Sequence, residues 1–115
     1  MTPQQLMDGL RDKNRLLTQK NDELLDLAEH SARKNMEHKT LFAKKMLELK
    51  QGHPVTILKS LCEGDKIVAQ AKFEADVAEA VYKACRESIN DIRTAVDTYR
   101  SLLSWEKEER FGKGV

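Results

Sequence analysis

Between residues 68 and 103 apolar side chains recur with a strict period of seven, a pattern that few folds can use. With a placed at Val68, Ala75, Tyr82, Ile89, Val96 and Leu103, d falls on Ala71, Ala78, Cys85, Ile92 and Tyr99. All eleven positions are apolar or aromatic across five heptads. Seven residues fall slightly short of two turns of a straight α-helix. Such a stripe keeps facing a neighbour only if the helices wrap left-handedly. The g positions Ile67, Val81, Ala95 and Leu102 widen the stripe beyond a two-stranded seam, which implies burial against more than one helix. Its first half is mostly alanine and permits close approach. Its second half carries Ile, Val, Tyr and Leu, each contributing roughly 1.5–3 kcal/mol when fully buried.

Two breaks divide the chain. Gln51-Gly52-His53-Pro54 is the strong one, since glycine ends helices and proline cannot continue them. Gly64-Asp65 is milder, with Asp65 able to cap the long helix after it. The expected elements in this single helical domain, residues 1–115, are a helix over 4–50 that Pro3 helps to open, a turn at 51–55 and a short helix over 57–62 capped by Thr56. A long helix over 66–110, roughly 65 Å in length, and a frayed tail at 111–115 complete the chain. The fold class is all-α: a long antiparallel helical hairpin with a short intervening helix and a coiled-coil-like C-terminal helix. A two-helix hairpin buries little surface, so self-association is the economical way to cover the wide stripe.

The first helix is less regular. Leu10, Leu17 and Leu24 recur at seven, which sets the companion positions at Met7, Asn14, Asn21, Ala28, Asn35, Phe42 and Leu49. Asparagines at such positions either fix register from within a core or stay wet on a partly buried helix. Residues 29–40 are nearly all polar and depend on the last helix or a partner for cover. Leu41, Phe42, Met46, Leu47 and Leu49 form an apolar set suited to the start of the last helix.

Charged residues make up 34% of the chain and aromatics 5%, a balance suited to helical bundles rather than a thick core. The net charge of +1 does not by itself point to nucleic acid. No apolar run is long enough to span a membrane, and the first residues lack a signal-peptide pattern. Cys62 and Cys85 have no CxxC spacing and read as structural thiols of a reducing cytoplasm. There is no GxxxxGK[ST] or GxGxxG loop and no HExxH pair, and His30 and His38 are spaced as surface residues. No metal, cofactor or catalytic constellation is expected, and the chain does not read as an enzyme.

Charge is clustered locally. From Arg33 to Lys59 seven bases (Arg33, Lys34, Lys39, Lys44, Lys45, Lys50 and Lys59) face only Glu37 and Glu48. Phosphate backbones bind such arrays through counterion release, although a solvated helix face is the common fate of such runs. A second basic row, Lys72, Arg86, Arg93, Arg100 and Lys107, occupies the e positions of the last helix. It lacks an acidic g row and is expected to pair locally, as in Lys72–Asp76 and Arg93–Asp97, or with Asp22, Glu23 and Asp26 of the first helix. Phe42, Phe73 and Trp105 are possible stacking surfaces for bases, though packing is their more ordinary role.

The run from His53-Pro-Val-Thr-Ile-Leu-Lys-Ser-Leu-Cys-Glu-Gly-Asp65 through Ala-Glu-Ala-Val-Tyr82, with Tyr99-Arg-Ser-Leu-Leu-Ser-Trp105, resembles small helical proteins encoded by phages of Gram-positive bacteria. The order of parts over residues 40–105 is similar to the UvsY recombination mediators of tailed phages. The resemblance implies a homo-oligomer in the host cytoplasm that binds single-stranded DNA and helps to load a phage or host recombinase. It puts DNA contacts at Lys44, Lys45, Lys50, His53 and Lys59. It puts oligomerisation at Ile89, Ile92, Val96, Tyr99, Leu102 and Leu103. The alternative is a coiled-coil adaptor, or a phage-encoded inhibitor of a host protein, that does not touch DNA.

Overall fold

Thr2 and Gln5 begin the structure with a reciprocal cap. The Gln5 amide donates to Thr2 Oγ1 at 3.2 Å, and the Thr2 amide donates to Gln5 Oε1 at 2.9 Å. This capping box satisfies two backbone donors that the first turn would leave orphaned, and Pro3 fills the first helical position. The computed structural model describes residues 1–112 and contains three helices. They are α1 (Pro3–Leu49), α2 (Val55–Gly64) and α3 (Lys66–Gly112), with no strand among the described residues. The chain is therefore all-α, with α1 and α3 packed against one another. Helix α3 continues two residues past the expected end, and the remainder of the expected tail lies outside the described residues.

The ends of the helices follow from local chemistry, not always as the sequence suggested. Helix α1 closes through Gly52 N–H donating to the Leu49 carbonyl at 3.2 Å, and His53 Nδ1 lies 3.1 Å from the same oxygen. No described glycine has a positive φ, so Gly52 does not end α1 as a left-handed cap. Pro54 makes the break, with φ −62° and ψ 145°. Helix α2 starts at Val55, before Thr56, and Pro54 occupies its N-cap without a side-chain hydrogen bond. The expected Thr56 cap is thus replaced by a proline whose fixed φ already directs the chain into a new helix. Asp65 caps α3 as expected, its Oδ2 accepting from the amides of Ile67 at 3.1 Å and Val68 at 3.2 Å.

The described residues group into two compact units, each made of facing α1 and α3 segments. In the unit formed by Met1–Leu24 and the part of α3 from Ala84 onward, the buried residues are Leu6, Cys85, Ile89, Ile92 and Val96. Gly9 lets the helices approach closely, for a Cβ there would sit 2.7 Å from the Tyr99 ring. The Cys85 thiol lies 3.7 Å from the Lys20 carbonyl as a weak donor. In the unit Leu25–Lys83, the core is Leu58, Cys62, Val68, Ala71, Ala75 and Ala78. Its α1 and α3 segments are antiparallel, since Lys34 reaches Glu74 at 3.5 Å while Lys45 reaches Asp65 at 3.3 Å.

All eleven a and d residues of α3 are buried or half-buried, so the seven-residue stripe is the inner face of the helix. Three of the four widening residues, Ile67, Val81 and Leu102, stay exposed, and Ala95 is half-buried. On α1 the inner face is broader than expected and shifted in places by one residue. Leu10, Leu17 and Leu24 face inward, and Ala28, Phe42 and Leu49 are half-buried as that register requires, but Leu6, Lys13, Lys20, Leu27, Lys34 and Leu41, one residue earlier, are also buried or half-buried. Met7, Asn14 and Asn35 are exposed and Asn21 is half-buried, so the asparagines are not a buried register lock. Lysine stems explain the shift: they cover apolar surface while the ammonium reaches water. The polar stretch 29–40 is helical throughout, and Leu41, Phe42, Met46 and Leu49 are half-buried as expected of them, whereas Leu47 is exposed.

Candidate functional site

The basic segment around the α1–α2 turn divides into outward and inward residues. Lys44 and Lys50 are exposed, and no described acid lies within ion-pair distance of either. His53 is exposed in the turn, with its ring held on the Leu49 carbonyl. Lys59 projects from α2 with 78% of its side chain exposed, and Glu63 one turn on is 4.0 Å away. An exposed pair at that distance contributes little and opens readily to a competing anion.

Lys45 differs from the other four. Its stem is half-buried and its Nζ lies 3.3 Å from Asp65 and 3.6 Å from Glu48. The Asp65 hydrogen bond and charge hold the Lys45 ammonium above its ordinary pKa. Asp65 is in turn held below its ordinary value, first by the Val68 amide and then by Lys45 and the Ile67 amide. Lys45 therefore ties α1 to the cap of α3. Lys34 has the same character: Glu37 and then Glu74 raise its pKa, and the Glu74 contact joins α1 to α3.

The residues expected to mediate oligomerisation also divide. Ile89, Ile92 and Val96 are buried within the chain, in the seam with the first part of α1. Tyr99 and Leu103 are half-buried, and Leu102 is exposed. Beside Leu102 on one face of α3 stand Thr94, Asp97, Thr98, Ser101 and the exposed Trp105. In the unit Leu25–Lys83 a second apolar surface consists of Phe73, Val77 and Val81, flanked by Leu27, His30 and Lys34 of α1. On the e row, Lys72 pairs with Asp76 at 3.2 Å, as its spacing suggested. Glu23 pairs with Lys20 of its own helix at 3.3 Å.

Sequence reasoning missed an open pocket of about 350 Å³ lined by His38, Phe42, Glu63, Val68, Ala69 and Lys72. The four-residue spacing of His38 and Phe42 was its one visible sign: their ring centroids lie 6.2 Å apart with planes inclined at 55°. Among the described residues no group of three metal-binding side chains occurs, and no helix is long and apolar enough to cross a membrane. No family model, curated protein or solved structure matches the chain.

Proposed function

We propose that the chain is an accessory protein of DNA recombination, which acts as an oligomer, holds single-stranded DNA at the α1–α2 turn and assists loading of a recombinase. One observation carries this reading: Lys44, Lys50, His53 and Lys59 are all exposed over sixteen residues, and the first two have no acid partner among the described residues. Such cations exchange bound counterions for phosphates, and the released counterions supply the free energy. Lys45 plays a different part, closing the fold on Asp65. The role in recombination rests on the resemblance to phage mediators and on no geometry of the chain.

The test is fluorescence anisotropy with an oligothymidylate at two salt concentrations. Affinity should fall with salt, by a log–log slope of about 0.7 per phosphate contacted. The triple variant Lys44→Glu/Lys50→Glu/Lys59→Glu should lose binding while remaining helical. Tight binding that ignores both salt and these charges would remove the site. A second reading, a coiled-coil adaptor or inhibitor of another protein, is favoured by the exposed Phe73, Val77 and Val81. It requires no DNA binding at low salt, and a protein partner whose capture is lost in Val77→Lys.

A further inference from the structure

The pocket beside the basic segment has the size and composition of a slot for one flat heteroaromatic ring. All of its lining residues belong to the unit Leu25–Lys83. Val68 is buried and forms the floor, while half-buried His38 and Phe42 form a wall from one face of α1. Glu63 from α2 and Ala69 and Lys72 from α3 are exposed and form the rim. Its volume, about 350 Å³, lies at the small end of the range for small-molecule sites. An aromatic wall over an aliphatic floor suits a π-system, and both its faces would leave water on entry.

The charges indicate how that ring would be attached. Lys72 stands on the rim, held by Asp76 at 3.2 Å, with both side chains more than half exposed. Lys59 lies 4.0 Å from Glu63, the acidic member of the rim. The pocket thus has one cation on its rim, Lys72 of α3, and a second, Lys59 of α2, paired to its acidic rim residue; among the described residues each lysine is paired with an exposed carboxylate. A polyanion threaded past Lys59 and Lys72 can displace those weak pairs. The Glu63 carboxylate can then accept from an exocyclic amino or imino group of the ring.

We infer that this pocket receives a nucleobase of the bound strand, so that one ring of the His38–Phe42 wall stacks on it, the other meeting its edge, while Lys59 and Lys72 hold adjoining phosphates. The inference rests on the proposed single-strand binding and adds to it a contact that phosphate charge alone does not provide. Aromatic stacking is sequence-tolerant, since every base has a π-face. An accessory protein that must travel along unrelated sequences needs that tolerance.

The experiment compares the full chain's affinity for an oligothymidylate with that for an abasic deoxyribose-phosphate strand of equal length, at one salt concentration. The wild type should prefer the base-bearing strand by roughly fivefold or more. Phe42→Leu should lose the preference and keep its affinity for the abasic strand. Phe42 is half-buried, so a second variant guards against loss of folding. Ala69→Gln, at an exposed rim position, fills the slot from outside the core and should erase the preference in the same way. Equal affinity of the wild type for both strands would overturn the base slot and leave the phosphate reading standing. Preference unchanged in both variants would overturn it too. Binding to neither strand would overturn the slot and the phosphate reading together.

Discussion

Gly9 shows how a single hydrogen atom fixes the distance between two helices. Glycine inside a helix costs about 1 kcal/mol relative to alanine, yet here the Tyr99 ring occupies the space a Cβ would need. Overpacking of that kind costs about 1–3 kcal/mol, so the clash should outweigh the gain in propensity. Gly9→Ala is expected to lower the melting temperature, and in a Tyr99→Leu background the same change should raise it. The sign reversal, read by thermal denaturation of the four proteins, distinguishes packing from propensity. Asp65 carries a pH dependence. Its carboxyl is held below the ordinary value of 3.8, so its contribution is complete above that range and lost as pH falls through the lowered value. Asp65→Asn should flatten the acid limb of the stability curve below about pH 4 and leave the neutral region less stable. An unchanged acid limb would show that ionisation of Asp65 does not contribute to stability.

Helix α3 was legible in the sequence because each of its a and d positions from Val68 to Leu103 is filled by an apolar or aromatic residue. Helix α1 was legible in extent and only partly in register. Lys13, Lys20, Lys34 and Lys45 occupy inner positions there, and a count of apolar residues treats them as outer. The count therefore settled on Met7, Asn14 and Asn35, one residue away and exposed. The Thr2–Gln5 box and the Pro54 cap are local features of the chain, whereas the pocket at Phe42 depends on three elements meeting. Of the proposed DNA contacts, sequence could locate the basic cluster but could not separate Lys45 from its neighbours, because its Asp65 partner is twenty residues away. Energetics should follow side-chain size along α3. Ile92→Ala removes a buried side chain and should cost roughly 2–5 kcal/mol, whereas Ala75→Gly should cost about 1 kcal/mol from helix propensity. Urea denaturation would measure both, and a larger loss at Ala75 would contradict the ranking.

For the whole molecule the open question is what covers the apolar side chains that α1 leaves bare. Burial of Ile89, Ile92 and Val96 within the chain removes three of the six expected assembly residues from the outer surface and leaves Leu102 exposed. Exposed apolar side chains on α3 that an assembly could use include Leu102 and Trp105, and Phe73, Val77 and Val81. Self-association is therefore expected to respond to Val77→Lys or Trp105→Lys, and to tolerate Ile92→Val. Light scattering across a concentration series checks this. A particle of monomer mass at every concentration would leave the exposed row to a different protein.

The lysines of the inner face have a consequence for covalent chemistry. An amine acylates only when deprotonated and reachable, and Lys34 and Lys45 are impeded on both counts: raised affinity for the proton and partial enclosure. Lys13 and Lys20 share the enclosure, while Lys39, Lys44, Lys50 and Lys59 stand in solvent. Mild acylation followed by mass spectrometry should therefore produce two rate classes. The slow class traces the side of α1 that faces α3, and the fast class maps the surface offered to a polyanion. Bound DNA should slow only members of the fast class.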